Sequence, residues 1–471
     1  AADADTSAWT AVASGRGGRA GVRGGPSSPP TGDFTAAFRT TFTPPADWAN
    51  HRIVLRFDSV GDGAKLWVNG TFVRDHWGSL MPFSADITDL LHPHANNSIT
   101  IGQDQRPVGL NQFVRGGGIS GTTLIALPAD YLTRLHADTT FDPAFKDATL
   151  HVWLGLAFHD KIAAKVALSL KDPSGKEVPL PAATVELPPA APEQIFDLPV
   201  PSAVKWDPEH PNLYTLTASL LDPDGKPLQT LSKNIGLRQI QLRGNQLFVN
   251  GQELKLRGIW GGSVQQAKQL NANHSRQKWV TRDYLDQADH EGLWVLDENP
   301  VDFAKYGAEA DPRFASQWMS FIEDMIERDR DHPSVLMWGL GNESFNGPNV
   351  LNTFRYATLE DPDRPTTFSF ANRVPVDQPL PYSIYSAHYP DMADPDTNLA
   401  AFTVAKWHSD SLPALRKPLP VMPVLNDEYG HVVQNRALLA RDPNVRSFWG
   451  ESLDRYWEKM FNTPGSLGGD I

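Results

Sequence analysis

The chain has 471 residues, of which 40% are hydrophobic and 10% aromatic, so it can form several cores and we expect about three domains. Its 42 Lys and Arg side chains against 55 Asp and Glu give a net charge of −13, which disfavours nucleic acid and anionic membranes as partners. Cysteine is absent, which excludes disulfides and thiolate chemistry, and the apolar runs are too short to cross a membrane, so we expect a soluble protein.

The beginning of the chain has an unusual composition. Residues 1–33 are rich in Gly, Ala, Arg, Ser and Pro, a composition that predicts a loose N-terminal arm. The chain starts without Met and without a basic and then apolar leader, as a protein does after signal removal. We therefore expect a secreted or periplasmic location, with a cytoplasmic location as the alternative.

Residues 34–128 show short alternating apolar runs, for example at 53–57 and 65–68, separated by Gly, Asp and Asn turns. This pattern predicts a β-sandwich. Asn69 and Gly70 lie between two of these runs and predict a tight hairpin, because both turn residues must accept a positive φ. The G-x-G-x-x-G spacing at 116–121 precedes a strand-like run rather than a helix, so we do not interpret it as a dinucleotide site.

Residues 129–240 form a second segment of β character. Strand-like runs occur at 148–152 and 213–216, and an Asp-Pro-Asp-Gly turn occupies 222–225. Such runs with Pro and Gly turns predict a small immunoglobulin-like sandwich.

Residues 241–471 alternate strand-like runs with helical stretches at 279–290 and 314–330. This alternation predicts parallel strands. The candidate strands are 254–260, 272–276, 293–298, 335–340, 366–370, 383–388, 421–426 and 465–471. Eight such strands predict a (β/α)8 TIM barrel, and the end of the chain at Ile471 leaves the completeness of the eighth strand open.

Carboxylates follow two of the apolar strands. The segment 336–344 ends in a Gly turn followed by Asn342 and Glu343, and the segment 421–430 ends in Asp427 and Glu428. The C-terminal ends of barrel strands form the active site, so Glu343 and one of the two later carboxylates are predicted to share one mouth. Adjacent strand residues point to opposite sides, and this spacing leaves the choice between Asp427 and Glu428 open.

Two carboxylates that face each other across a pocket can cleave a glycosidic bond. One protonates the leaving oxygen while the other attacks the anomeric carbon, so a carbohydrate is the expected substrate. The histidines show no H-E-x-x-H or comparable spacing, and we expect neither a cofactor nor a catalytic metal. The sequence is compatible with a homo-oligomer.

The sequences WGLGNES at 338–344 and EYGH at 428–431 resemble glycoside hydrolase family 2. In that family the acid/base lies in Gly-Asn-Glu and the nucleophile commonly lies in Glu-Tyr-Gly. The resemblance implies that Glu343 is the acid/base and that Glu428, rather than Asp427, is the nucleophile. It also implies a jelly-roll sandwich for 34–128, an immunoglobulin-like sandwich for 129–240 and a catalytic TIM barrel for 241–471.

The resemblance further implies a set of substrate-binding residues. Arg276 would lie beside Glu428 and keep it ionised, and Asn342 would bind the 2-hydroxyl of the sugar. Glu298 and Asn299 would border the sugar subsite. The candidates for orienting the nucleophile are Tyr385, His388 and Tyr389.

A retaining exo-β-glycosidase that releases a terminal sugar is the function that this resemblance implies. The EYGH sequence is nearest to the β-galactosidase branch, with β-glucuronidase and β-mannosidase as alternatives. No Asn-x-Lys triplet, which would contact a uronate, occurs near the end of the barrel. The two other hypotheses are an endo-acting glycanase and an inactive carbohydrate-binding protein.

Overall fold

A computed structural model of the chain describes residues 36–61, 63–78, 81–104, 118–159, 163–278, 280–304, 307–369, 380–388, 422–430 and 443–471. The chain divides into two compact units. The first comprises residues 1–108 and 113–131, and the second comprises 109–112 and 132–471.

The first unit is an antiparallel β-sandwich. Its strands are β1 (Ala36–Phe42), β2 (Arg52–Val60), β3 (Gly63–Val68), β4 (Thr71–Trp77), β5 (Phe83–Asp86), β6 (Asn97–Asp104) and β7 (Ile119–Leu127). They form the sheets β1-β6-β3-β4 and β5-β2-β7. Asn69 and Gly70 have φ values of 49° and 79° and connect β3 to β4, so the predicted hairpin is confirmed.

The second unit begins with another sandwich. Its strands are β8 (Tyr131–Phe141), β9 (Ala148–Ala157), β10 (Ala164–Lys171), β11 (Thr184–Leu187), β12 (Glu193–Val200), β13 (Trp206–Asp207), β14 (His210–Pro211), β15 (Tyr214–Leu221) and β16 (Pro227–Ile235). The sheets β11-β10-β15-β16 and β12-β9-β8 enclose a core that includes Leu150, Val166 and Leu216. Three short strands then lead towards the barrel: β17 (Ile240–Arg243), β18 (Gln246–Val249) and β19 (Gln252–Glu253).

Eight parallel strands form the barrel. They are β20 (Leu256–Trp260), β21 (His274–Lys278), β22 (Trp294–Glu298), β23 (Val335–Asn342), β24 (Thr366–Ser369), β25 (Tyr385–His388), β26 (Val424–Glu428) and β27 (Ser466–Asp470). Their order is β24-β23-β22-β21-β20-β27-β26-β25. A parallel bridge between Thr367 and Ile384 joins the two ends of this order. The predicted barrel is therefore confirmed, and its eighth strand pairs with β20 and β26.

Within the described part of the barrel, the α-helices are α1 (Val264–Gln269), α2 (Arg282–Glu291), α3 (Ala315–Asp329), α4 (Pro348–Glu360) and α5 (Pro443–Asn462). Local signals set the ends of α2, because the Thr281 side chain accepts a hydrogen bond from the Tyr284 backbone and Gly292 adopts a left-handed φ of 75°. The prediction that this helix starts at residue 279 was therefore wrong by three residues. The second barrel strand also lies two residues later than predicted.

Aromatic and arginine side chains connect the second sandwich to the barrel. The rings of Trp206 and Trp294 meet edge to face with centroids 4.9 Å apart, and the Trp206 indole N–H donates to the carbonyl of Asp289 at 2.9 Å. The buried Arg238 donates to the carbonyls of Pro333 at 2.5 Å and Val335 at 2.7 Å. This junction fixes the end of the barrel that lies opposite the carboxylates.

Candidate active site

Glu343 directly follows the fourth barrel strand. Every residue of β23 is buried, and Glu343 then adopts a left-handed φ of 41°, which is uncommon for a residue other than glycine. Its backbone N–H donates to the carbonyl of Ser369 at 2.8 Å. This turn holds the carboxylate at the mouth of the barrel, where the side chain is 21% exposed.

Glu428 is the last residue of β26. Its Oε1 accepts a hydrogen bond from Nη1 of Arg276 at 2.9 Å. One carboxylate oxygen of Glu428, one of Glu343 and a ring nitrogen of His388 all lie within 4.8 Å of one another. The two carboxylates that the sequence singled out therefore meet in one mouth.

A bulge in β26 changes which side chains face the barrel interior. Ser386 pairs with Leu425 and His388 pairs with Glu428, so β26 contains one more residue than β25 over this stretch. An extra residue breaks the alternation of strand side chains. Asp427 and Glu428 consequently both face His388, at 3.3 Å from Nε2 and 3.7 Å from Nδ1 respectively.

Asp427 and Glu428 nevertheless have different surroundings. Asp427 is fully buried, and its carboxylate accepts hydrogen bonds from the hydroxyls of Ser369 and Ser386. Burial would raise the pKa of Asp427, but Arg276 and His388 hold it well below its usual range. The Glu428 side chain is 13% exposed, so Glu428 is the one of the two that a substrate can reach.

Arg276 lies on β21 and contacts the ends of β23 and β26, the two strands that lead to Glu343 and Glu428. It is fully buried, its Nε donates to Glu298, and its Nη2 donates to Oδ1 of Asn342 at 2.8 Å. Burial would lower the pKa of Arg276, but Glu298 and Asp427 raise it well above its usual value. The permanent positive charge lies against Glu428, as the resemblance implied.

Lys278 and Asp302 extend this network, and the sequence reasoning missed both. Lys278 Nζ lies 3.3 Å from Glu298 Oε1 and 3.2 Å from Asp302 Oδ1, and the Asn342 amide donates to Asp302 at 2.8 Å. Burial raises the pKa of Asp302. Lys278 lies two residues after Arg276 on one strand, so strand alternation predicts that they share a face, whereas Asp302 follows its strand in a loop without periodicity.

His388 ends β25 and contacts the acid/base candidate. Its Nδ1 lies 2.9 Å from Oε1 of Glu343, within hydrogen-bonding distance. Burial would lower the pKa of His388, but Asp427 and Glu343 raise it to about 9. The hydrogen bond from His388 is in turn the main reason why the pKa of Glu343 is lowered.

Asn299, Tyr385 and Tyr389 are the remaining candidates. Asn299 is fully buried, its backbone N–H donates to the carbonyl of Gly339 at 2.8 Å, and its side chain accepts from the Val301 backbone. It therefore shapes the end of β22. Tyr385 begins β25, at the opposite end from His388, and packs near Tyr382 with ring centroids 6.1 Å apart. Tyr389 lies outside the described residues.

Two groups of described side chains have ligand atoms close enough together to hold a cation: Asp286, Asp289 and His332, and Glu343, His388 and Glu428. In the first group, His332 Nδ1 and Asp289 Oδ2 are already hydrogen-bonded at 2.6 Å. In the second, His388 Nδ1 already lies within hydrogen-bonding distance of Glu343 Oε1, at 2.9 Å. We interpret both groups as ion pairs. In the part of the chain that the structure describes, no helix is long and apolar enough to cross a membrane.

Three family models match successive parts of the chain. The sugar-binding domain of glycosyl hydrolases family 2 matches residues 22–102, the model described as glycosyl hydrolases family 2 matches 131–238, and the TIM barrel domain of this family matches 263–460. Together the three matches account for most of the chain.

Curated relatives and solved structures agree with these matches. A beta-galactosidase of Alteromonas mediterranea is 25% identical over 95% of this chain and 43% of its own, and one of Pseudoalteromonas haloplanktis is 27% identical over 94% and 43%. The chain thus spans less than half the length of these relatives. A beta-glucuronidase of Bacteroides uniformis has the same fold, with a TM-score of 0.72 and 19% identity over 92% of this chain and 58% of that chain.

Proposed function

Since the chain belongs to glycosyl hydrolase family 2, we propose that it is a retaining exo-β-glycosidase with Glu343 as acid/base and Glu428 as nucleophile. A single observation carries this proposal. Oxygens of the two carboxylates lie within 4.8 Å of each other. Retaining glycosidases place their carboxyl groups about 5 to 5.5 Å apart, whereas inverting enzymes need a wider gap to hold a water.

The reaction takes place in two displacements. Glu428 attacks the anomeric carbon while Glu343 protonates the leaving oxygen, and Glu343 then removes a proton from the water that releases the sugar. The Arg276 guanidinium donates to Oε1 of Glu428 at 2.9 Å and so holds the nucleophile in position. The Asn342 amide uses one N–H on Asp302, and we propose that its other N–H donates to the 2-hydroxyl.

We propose a β-galactoside as the substrate. The EYGH sequence at 428–431 and the names of the curated relatives support this choice. A β-glucuronide is the main alternative, since solved structures of the same fold are named beta-glucuronidases, and a β-mannoside is the third. A pocket that hydrogen-bonds each hydroxyl discriminates strongly between epimers, because a misplaced hydroxyl leaves buried polar groups unpaired.

An inactive carbohydrate-binding protein is the rival from another class. It would need no charged machinery behind the carboxylates, whereas Arg276 and His388 lie 2.9 Å and 3.7 Å from Glu428 and Asp427 lies 3.3 Å from His388. Such an array of buried charges is costly unless it serves a specific task. An endo-acting glycanase would share the same chemistry, and it would lower the viscosity of a polymer before it released monosaccharide.

The test combines a substrate panel with rescue of a variant. Initial rates on the 4-nitrophenyl β-galactoside, β-glucuronide and β-mannoside give kcat/KM, and proton NMR shows which anomer of the released sugar forms first. Glu428→Ala should lose nearly all turnover, and azide should restore part of it as the inverted glycosyl azide, because a small anion can occupy the vacated nucleophile position.

Glu177→Ala is the matched control, because this carboxylate is 61% exposed on the second sandwich and its loss should change neither rate nor product. First appearance of the α-anomer would refute retention. If kcat/KM were highest on the glucuronide, a β-glucuronide would replace the β-galactoside as the proposed substrate. If the unaltered chain bound sugar without turnover, the inactive carbohydrate-binding protein would be favoured.

A further inference from the structure

His388 faces a carboxylate on each side of its ring. Nδ1 lies 2.9 Å from Glu343 and Nε2 lies 3.3 Å from Asp427. A neutral imidazole carries one N–H, so one of its nitrogens would direct a lone pair at a carboxylate. Both contacts become favourable only when both nitrogens are protonated. The geometry therefore fits an imidazolium.

Asp427 is a fixed anion. Its carboxylate accepts hydrogen bonds from Ser369 and Ser386, and Oδ2 lies 3.7 Å from the guanidinium of Arg276. Because hydrogen bonds and a positive charge both favour the ionised form of a carboxylate, Asp427 stays charged although it is fully buried. A permanent negative charge thus faces Nε2 of His388.

Glu343 needs a proton to act as the general acid, but the substrate-free site favours its ionised form. A general acid must be protonated when the leaving oxygen departs, yet the hydrogen bond from His388 lowers the pKa of Glu343. The nearest group that holds an acidic proton is the other end of that same hydrogen bond. The proton is therefore one short transfer away from Glu343.

We propose that His388, held as an imidazolium by Asp427, stores in the substrate-free site the proton that Glu343 later delivers to the leaving oxygen. This inference rests on the proposed function. In this arrangement Asp427 is a positioning residue, since it acts through His388, and His388 is a proton store beside the acid/base.

The proton balance closes over one turnover. When the sugar covers Glu343, loss of water favours the neutral carboxyl, and the proton moves from Nδ1 of His388 to Oε1 of Glu343. Glu343 gives this proton to the glycosidic oxygen as the bond from that oxygen to the anomeric carbon breaks and Glu428 forms its bond to the same carbon. In the second step the water oxygen bonds to the anomeric carbon as the bond from Glu428 to that carbon breaks, and Glu343 takes a proton from this water and returns it to His388. A turnover therefore consumes one water and releases one sugar and one alcohol.

The charged groups around His388 and Asp427 come from the end of β26 itself and from the ends of three further strands, β21, β22 and β23. The described titratable side chains that line the same cluster are Glu343, Glu428, Arg276, Lys278, Glu298 and Asp302. The carboxylates outnumber the cations, so the cluster as a whole favours a proton on His388.

The first measurement needs no turnover. Nitrogen-15 NMR of the histidine-labelled chain follows each imidazole against pH, and the resonance lost in His388→Gln identifies the residue. His388 should remain an imidazolium at pH 8, and Asp427→Asn should lower its pKa by about 1 to 3 units. His332→Gln is the control, since that imidazole forms a similar pair with Asp289 at 2.6 Å outside the mouth.

The second measurement is the pH profile of kcat/KM on an alkyl glycoside, whose poor leaving group needs the acid. In Asp427→Asn the basic limb of this profile should move to lower pH by the same amount as the pKa of His388 moves in the NMR titration. In His332→Gln the basic limb should stay at the same pH. A neutral His388 at pH 7 in the unaltered chain would overturn the proposal, as would an unmoved limb in a folded Asp427→Asn. If Asp427→Asn does not fold, the NMR titration of His388 in the unaltered chain tests the proposal by itself. An unaltered chain that hydrolyses no glycoside but holds His388 as an imidazolium would refute the glycosidase function and leave the charge state of His388 established.

Discussion

Arg276→Met should cost most of the activity, because it removes one cation that serves two parts of the site. Arg276 donates to Glu428 at 2.9 Å and to Asn342 at 2.8 Å. A hydrogen bond that involves a charged group contributes about 1.5 to 3 kcal/mol, so the two together contribute about 3 to 6 kcal/mol. With about 1.4 kcal/mol for each tenfold change in rate, we expect kcat/KM to fall by about 10²- to 10⁴-fold.

The same substitution should also destabilise the fold. It leaves the fully buried Glu298 with Lys278 as its neighbouring cation at 3.3 Å, and breaking a buried pair costs about 3 to 5 kcal/mol. The pKa of Glu298 is lowered in the folded protein. The ionised Glu298 therefore stabilises the fold above the pKa near 4.5 that it has when unfolded, and this stabilisation is lost as pH falls. The difference in the free energy of unfolding between Arg276→Met and the unaltered protein should therefore narrow below about pH 4.

Steady-state rates on the best nitrophenyl glycoside and urea unfolding followed by tryptophan fluorescence check both expectations. Arg313→Met is the control, because Arg313 forms its pair with Asp311 at the surface, where the side chain is 85% exposed, and exposed pairs contribute little. A loss in kcat/KM below tenfold, together with unchanged unfolding at pH 7, would refute the central role of Arg276.

Two further substitutions test other parts of the molecule. Glu343→Ala should keep measurable activity on aryl glycosides with good leaving groups but lose about 10²- to 10⁴-fold on alkyl glycosides, and equal losses on both would argue against Glu343 as the acid. Asp331→Asn removes the carboxylate that contacts His136 at 2.7 Å and Lys233 at the sandwich–barrel junction, and urea unfolding should show a loss of about 3 to 5 kcal/mol. The pKa of Asp331 is lowered and that of His136 is raised, so the loss of stability should be largest near pH 5 to 6, about midway between the pKa values of the two side chains in the unfolded protein. A loss that does not depend on pH would contradict the ion-pair explanation.

Sequence patterns were sufficient for the architecture and for the placement of the two glutamates. Apolar runs that alternate with helical stretches predict parallel strands, and the carboxyl ends of such strands meet at one end of a barrel. Glu343 stands at the end of one such run and Asp427 and Glu428 at the end of another, so the pattern predicts that carboxylates from both meet in one mouth, and the family resemblance selects Glu428. Element boundaries were less accurate, since the cap at Thr281 competes with the propensity of the residues before it.

The sequence by itself therefore determined the fold, the hairpin at Asn69 and the placement of carboxylates at two strand ends, because these follow from local periodicity and turn chemistry. Only the tertiary structure decided the roles of the groups around them. Strand alternation places Asp427 and Glu428 on opposite sides, but the extra residue in β26 brings both against His388. A bulge depends on how two strands pair across the barrel, and no pattern within one strand records that pairing.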